Sequence, residues 1–171
     1  IRLADAGEPG LVEALRTMTS GLRRDFASFV ERHYAGWIAN PDADRPALSQ
    51  DVVQEMVLPV LQQHGRALFI LVDCLRLDQW MEMESLLREY FDIQRDYHFS
   101  ILPTATRYCR NSIFSGTFPD EIEVRFPEVW AEWEDDENTR NRFEHRFLDA
   151  LLERRKIILK PESKYLKILD A

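Results

Sequence analysis

An apolar run, ALFILV at residues 67–72, constrains the fold of this chain most. It is too short to cross a bilayer, which takes about 20 apolar residues, and its length is typical of a strand covered on both faces of a parallel sheet. Helical spacing follows at 78–90, a second strand pattern at 96–102, and a short helix at 110–115 before Gly116. This alternation predicts an α/β fold.

The end of the chain has one helical and two strand-like patterns. An amphipathic helix is predicted whose inner face consists of Phe143, Phe147, Leu148, Leu151 and Leu152. Two short strands are predicted after it, at 155–160 and 163–169.

The chain before the apolar run at 67–72 has a helical pattern. Apolar residues recur at steps of three and four from Val12 to Val30 and predict a helix that continues towards Trp37. The segment NPDADRP at 40–46 ends it, and a second helix, capped by Ser49 and bent at Pro59, is predicted before Gly65. We therefore predict two parts, a helical bundle segment at 1–65 and an α/β domain at 66–171.

The net charge, the lack of a targeting segment and the two ends of the sequence restrict the kinds of protein to which this chain could belong. The net charge of −8 argues against a sequence-blind nucleic-acid binder, because such binding depends on Lys and Arg. No signal segment or membrane span is recognisable, so we expect a cytoplasmic protein without a membrane partner. The chain lacks an initial Met and stops in the strand-like pattern KYLKILDA, so we expect it to be a piece of a longer protein.

Polar residues follow both predicted strands. Asp73 comes directly after the first, and residues 103–106, which include Thr106, follow the second. Ligands of open α/β sheets bind outside the carboxyl ends of the strands. A carboxylate and a hydroxyl at a helix N-terminus could hold a divalent cation and a phosphoryl group, which predicts phosphoryl transfer. The alternative is that both residues are helix caps, and spacing by itself favours that alternative. Arg107 and Arg110 are either phosphate contacts or surface residues.

Two segments carry a family resemblance. LVDCLRLDQW at 71–80 and LPTATRYCRNSIFSGTFPDEI at 102–122 closely resemble the PglZ domain, a branch of the alkaline phosphatase superfamily. The Pro-Thr-x-Thr motif and the later Ser-Gly-x-x-Pro motif also resemble, more distantly, the nucleotide pyrophosphatase/phosphodiesterase branch. The resemblance covers residues 66–171. It implies the first part of an alkaline-phosphatase-like sheet with flanking helices.

A second resemblance concerns residues 1–65. With the stretch DRPALSQDVV at 44–53, they resemble the helical linker of PorX-type response regulators, in which a receiver domain precedes the linker and a PglZ effector follows it. This resemblance implies that the chain is the effector region of a two-component response regulator. The partners that we expect are an upstream receiver domain, a second copy of the chain, and a sigma factor or other signalling protein.

The resemblance assigns roles to individual residues. Asp73 matches the metal-ligand aspartate after the first strand, and Thr106 matches the nucleophile, which also contacts metal. Arg107 and Asn111 are candidates for phosphate contact. The implied cofactor is zinc or another divalent cation in a two-metal site. The implied substrate is a phosphodiester such as a cyclic or linear oligonucleotide.

The sequence departs from the family pattern in its metal ligands. The family's remaining ligands, an Asp and two His in motifs such as Asp-His-Gly, are absent. A stable zinc site uses roughly three or four protein ligands. We therefore expect this chain to be inactive by itself and to lack bound metal.

Two alternative functions stay open. The first is a non-catalytic signalling module for dimerisation or docking, which exposed aromatic residues of VWAEW at 129–133 would favour. The second is a simple nucleotide-binding α/β domain. The sequence disfavours it, because no Gly-rich phosphate loop follows the first predicted strand.

Overall fold

A computed structural model of the chain describes residues 9–41, 44–135, 141–159 and 164–166. The chain divides into two compact units, Ile1–Pro46 and Ala47–Ala171. The domain limits expected from the sequence, 1–65 and 66–171, stay a prediction.

The first unit contains one long helix, α1, at Pro9–Ala39. Proline is favoured at a first helical position, where its missing N–H is not needed. At the other end, the Asn40 amide donates to the Gly36 carbonyl at 3.1 Å, and Pro41 follows. The prediction of a long N-terminal helix is confirmed. None of the side chains described in α1 is fully buried.

The second unit is built from short helices. Its first helical segment consists of a 3₁₀ turn at Ser49–Asp51, a π-helical turn at Val53–Val57 and helix α2 at Leu58–His64. The remaining helices are α3 at Leu77–Leu87, α4 at Thr106–Ser115, α5 at Pro119–Arg125, α6 at Pro127–Asp135 and α7 at Glu144–Arg154.

The predicted α/β sheet is wrong. The described part of the chain holds no strand, and its one β pairing is an isolated parallel bridge between Leu48 and Phe99. Along residues 67–72, Phe69 packs on the core, whereas its neighbours Leu68 and Ile70 are 85% and 68% exposed. The run therefore has the alternating burial of a strand without a ladder partner. The sequence alone could not reveal the missing partner, because an apolar run describes one segment, whereas a strand in a sheet requires a second segment to pair with it.

The predicted second strand, at 96–102, contributes only that bridge with Leu48. Two further strands were expected at 155–160 and 163–169. Residues 157–159 and 164–166 have no regular structure, and the rest of the second segment lies outside the described residues.

Helix α4 packs into both apolar clusters of the second unit. Ile113 lies with Val52, Val53, Leu58, Leu151 and Leu152, and Phe114 lies with Ile122, Val129 and Phe147. The predicted inner face of α7 is confirmed, since Phe147, Leu151 and Leu152 are all buried. The predicted end of α4 is also confirmed, because Gly116 adopts the left-handed conformation with φ 63°.

Ser49 has a different role from the predicted cap. The capping position is Leu48, whose amide donates to the Asp51 carboxylate at 2.8 Å. Ser49 is fully buried, and its hydroxyl accepts a hydrogen bond from the Ile101 amide at 3.1 Å. This bond and the one from the Phe99 amide to the Ala47 carbonyl fix the segment that leads into α4.

Among the described helices, none combines the length and the apolar character that crossing a membrane requires.

Candidate active site

Thr106 is the first residue of α4. Ala105 caps the helix with an extended backbone, φ −74° and ψ 137°, so the chain turns into the helix directly at Thr106. The last turns of α4 are anchored in the core, since residues 111–115 are all buried, whereas Thr106 is half-buried. The packed end of the helix thus holds its N-terminus, and with it the Thr106 hydroxyl, close to solvent.

Asp73 lies in a turn after the extended run. Phe69 and Leu71 pack against the core, which fixes the run two residues before the turn. The carboxylate of Asp73 accepts a hydrogen bond from the Cys74 amide at 2.9 Å, and Cys74 adopts φ 57°, which is uncommon for a non-glycine residue. The Asp73 side chain remains 43% exposed. It is therefore available to a ligand from solvent.

Arg110 connects Asp73 to α4. Its Nη1 lies 3.4 Å from Oδ2 of Asp73. Residues four apart on a helix lie on the same face, so Arg110 follows Thr106 by one turn on that face. The contact therefore brings the Asp73 carboxylate to a residue that lies on the same helix face as Thr106.

Glu144, the first residue of α7, holds the other edge of the Arg110 guanidinium. Its carboxylate is fully buried, with contacts of 2.7 Å to Nε and 2.8 Å to Nη2 of Arg110. The Tyr165 hydroxyl donates a further hydrogen bond to Glu144. Arg110 is thus held between one buried and one exposed carboxylate.

The electrostatics of this cluster follow from burial and pairing. Burial by itself would lower the pKa of the Arg110 guanidinium, but Glu144 and then Asp73 outweigh it, so the pKa is raised. Burial, together with the hydrogen bond to Glu144, also raises the pKa of the Tyr165 hydroxyl. Arg110 therefore stays charged and Tyr165 stays neutral at physiological pH. The guanidinium of Arg110 is thus shared by two carboxylates.

Arg107 and Asn111 make other contacts within α4. The Asn111 side chain is fully buried and donates to the Arg107 carbonyl at 2.5 Å. The Arg107 guanidinium lies over the Tyr108 ring, 4.4 Å from its centroid, as a cation–π pair. Their predicted phosphate contacts stay predictions.

Sequence reasoning missed Glu144 and Tyr165. They lie 34 and 55 positions after Arg110, and neither belongs to a recognisable motif. The acidic start of α7 is a signal for Glu144, but it is not specific. A carboxylate in the first helical turn is common because it interacts favourably with the helix dipole.

The described side chains do not complete a metal centre. Within the parts of the chain that the structure describes, no three His, Cys, Asp or Glu residues are grouped closely enough to hold an ion. Asp73 and Thr106 together would supply two ligands, fewer than the roughly three or four of a stable zinc site.

A family model describes most of the second unit. Residues 52–165 match the model of the BREX system PglZ alkaline phosphatase-like domain. The matched region contains Asp73, Thr106, Arg110, Glu144 and Tyr165. This family description supports a phosphoesterase-type hydrolase, and alkaline phosphatase-like enzymes generally use divalent metals. No curated protein matches the chain. Because the match covers about two thirds of its residues, the chain belongs to the PglZ family of alkaline phosphatase-like domains.

Proposed function

We propose that the second unit carries the nucleophile of a metal-dependent phosphodiesterase, with Thr106 as that nucleophile and Asp73 as a metal ligand. The observation that supports this most is the 3.4 Å contact from Arg110 to Asp73, because Arg110 lies one turn after Thr106 on the same face of α4. Membership of the PglZ family adds the reaction class.

The proposed chemistry proceeds in two steps. The Thr106 hydroxyl oxygen forms a bond to phosphorus, while the bond from phosphorus to one ester oxygen breaks and that oxygen leaves with the electron pair. The hydroxyl proton ends on the leaving alcohol. Water then cleaves the phosphothreonine and restores the hydroxyl. Arg110, anchored by buried Glu144, follows Thr106 by one turn of α4 and supplies a positive charge to this face of the helix.

The proposed reaction requires a bound metal, which limits the catalytic activity expected of residues 1–171 alone. The described residues offer fewer ligands than a stable site needs. We therefore propose that residues 1–171 alone are inactive and that zinc or another divalent cation acts in a longer protein. Robust cleavage of bis(p-nitrophenyl) phosphate by residues 1–171 with added zinc would overturn this part of the proposal.

The proposed setting is the effector region of a two-component response regulator. Its proposed substrates are phosphodiesters such as cyclic or linear oligonucleotides, and its proposed partners are an upstream receiver domain and a sigma factor or other signalling protein. The support is the resemblance of residues 1–65 to the linker of PorX-type regulators.

The test uses the intact regulator that carries this sequence. We expect Thr106→Ala to abolish cleavage of bis(p-nitrophenyl) phosphate and of a cyclic oligonucleotide. Thr104→Ala is the matched control, because it removes an exposed hydroxyl two residues earlier and is expected to retain cleavage. Full activity in Thr106→Ala would refute the assigned nucleophile.

A second candidate function is a non-catalytic dimerisation or docking module. The segment at 129–133 does not favour it, because Val129 is fully buried and Trp130 packs against the same core cluster. The Trp133 side chain lies outside the described part of the structure. The exposed apolar residues of α1 do favour it. In the intact regulator, unchanged signalling by Thr106→Ala despite lost hydrolysis would support this second function.

A further inference from the structure

The first unit presents a face of seven apolar residues and His33 along α1, which we call the apolar face. Its members recur at intervals of eleven residues, as Leu11, Leu22 and His33, as Leu15, Phe26 and Trp37, and as Met18 and Phe29. An eleven-residue repeat corresponds to about 3.67 residues per turn, so the face runs almost parallel to the helix axis.

This face is exposed to solvent. Met18, Leu22 and Phe26 are 64%, 63% and 56% exposed, and the other members are exposed or half-buried. The aromatic members lie in a row, with centroid distances of 4.5 Å from Phe29 to His33 and 6.2 Å from His33 to Trp37. A monomeric soluble protein rarely exposes so continuous an apolar surface.

The size of the face suits a dimer. A helix of 31 residues is about 46 Å long. Eight side chains of these types, about half exposed, present on the order of 700 Å², close to the ~800 Å² per partner of a standard protein interface.

The order of side chains along the face specifies the orientation of the partner. The first half is aliphatic and the second half is aromatic. In an antiparallel pair centred on Arg24, Leu11 of one helix lies opposite Trp37 of the other, and Leu22 lies opposite Phe26. Each aliphatic member then lies opposite an aromatic member or within one residue of it, which makes the distance between the helix axes more even than in a parallel pair. A parallel pair would instead place Trp37 against Trp37 and Leu11 against Leu11.

We propose that α1 is a homodimerisation helix that pairs antiparallel with α1 of a second copy of this chain. The paired helices bury the eight-residue apolar face, and their opposed dipoles attract each other. This interface is independent of the chemistry proposed for Thr106.

The test measures the mass of the full chain by analytical ultracentrifugation over a concentration series. We expect a dimer for the wild type. The variant Leu22→Glu/Phe26→Glu buries two charges in the interface, so its dissociation constant should rise by more than ~100-fold. Thr17→Glu/Ser20→Glu adds the same charge to exposed positions on the opposite side of the helix and should remain dimeric. Far-UV circular dichroism of each protein establishes that the second unit is folded.

Orientation is tested by disulfide crosslinking in a background without Cys74 and Cys109. A mixture of Leu11→Cys and Trp37→Cys proteins should crosslink between the two variants, whereas each variant alone should not. A monomeric wild type, a dimer unaffected by Leu22→Glu/Phe26→Glu, or efficient crosslinking of Leu11→Cys with itself would each overturn the proposal.

Discussion

The Arg110 guanidinium bridges two carboxylates of different exposure, with Nε 2.7 Å from buried Glu144 and Nη1 3.4 Å from exposed Asp73. The Glu144 contacts are the shorter ones and involve two nitrogens, so Glu144 fixes the arginine and Asp73 approaches a preformed charge. This arrangement separates a structural ion pair from a carboxylate that is open to a ligand, and the two should respond differently to mutation.

Glu144→Gln should destabilise the second unit strongly. The variant leaves the Arg110 guanidinium, only 18% exposed, with the longer contact to exposed Asp73 alone, and loss of a buried partner costs up to about 3–5 kcal/mol. Urea denaturation measures the change. Glu121→Gln is the matched control, because its 3.0 Å pair with Arg125 is solvent-exposed and should contribute less than about 1 kcal/mol. Equal effects of the two variants would contradict a structural role for Glu144.

Asp73→Asn should leave the free energy of unfolding within about 1 kcal/mol of the wild type, because Asp73 is largely exposed and Arg110 keeps its Glu144 partner. Urea denaturation of the full chain provides the value. With folding preserved, loss of phosphodiester hydrolysis by the same variant in the proposed regulator would report on the site itself. A large loss of stability would instead assign Asp73 a structural role.

Gly116→Ala should destabilise the chain more than Gly65→Ala. Both glycines have positive φ, 63° and 70°, so alanine costs about 1–2 kcal/mol at either position. A Cβ at Gly116 would in addition lie 2.8 Å from Cδ1 of Leu151 in the core, whereas no atom lies within 4 Å of a Cβ at Gly65. Overpacking adds about 1–3 kcal/mol. Thermal or urea denaturation compares the two variants, and equal losses would contradict the close packing of α4 on α7.

Cys74 should react with a thiol reagent much faster than Cys109. Cys74 is exposed, whereas Cys109 is half-buried and its Sγ lies 3.4 Å from the Ile101 carbonyl. Burial raises the pKa of the Cys109 thiol, so the neutral, unreactive form persists to higher pH than in the unfolded chain. Because the folded pKa is the higher one, the stability associated with Cys109 is complete below the unfolded pKa and decreases as pH rises above it.

Labelling with dithionitrobenzoate, followed over a pH series in Cys74→Ser and Cys109→Ser proteins, tests this order. The thiol that remains in Cys74→Ser should react slowly and with an alkaline midpoint above that of a free cysteine. Rapid reaction at neutral pH would show that the start of α4 is open around Cys109.

The sequence alone determined the local elements of this protein. The apolar spacing of α1, the end of α4 at Gly116 and the inner face of α7 all depend on neighbours within a few residues, which a single sequence displays directly. The motifs around Asp73 and Thr106 were also sufficient to recognise the PglZ family, because each is a contiguous string of residues.

Tertiary structure decided what depends on distant partners. Residues 67–72 have the composition of a buried strand, yet no segment within the described ranges pairs with them, and pairing is a property of two segments. The clamp of Glu144 and Tyr165 on Arg110 joins residues 34 and 55 positions apart, and each was an ordinary surface-type residue in the sequence. Folding brings them together because α4 and α7 pack in one core. The partly buried Arg110 guanidinium then needs a carboxylate partner, and Glu144 provides it.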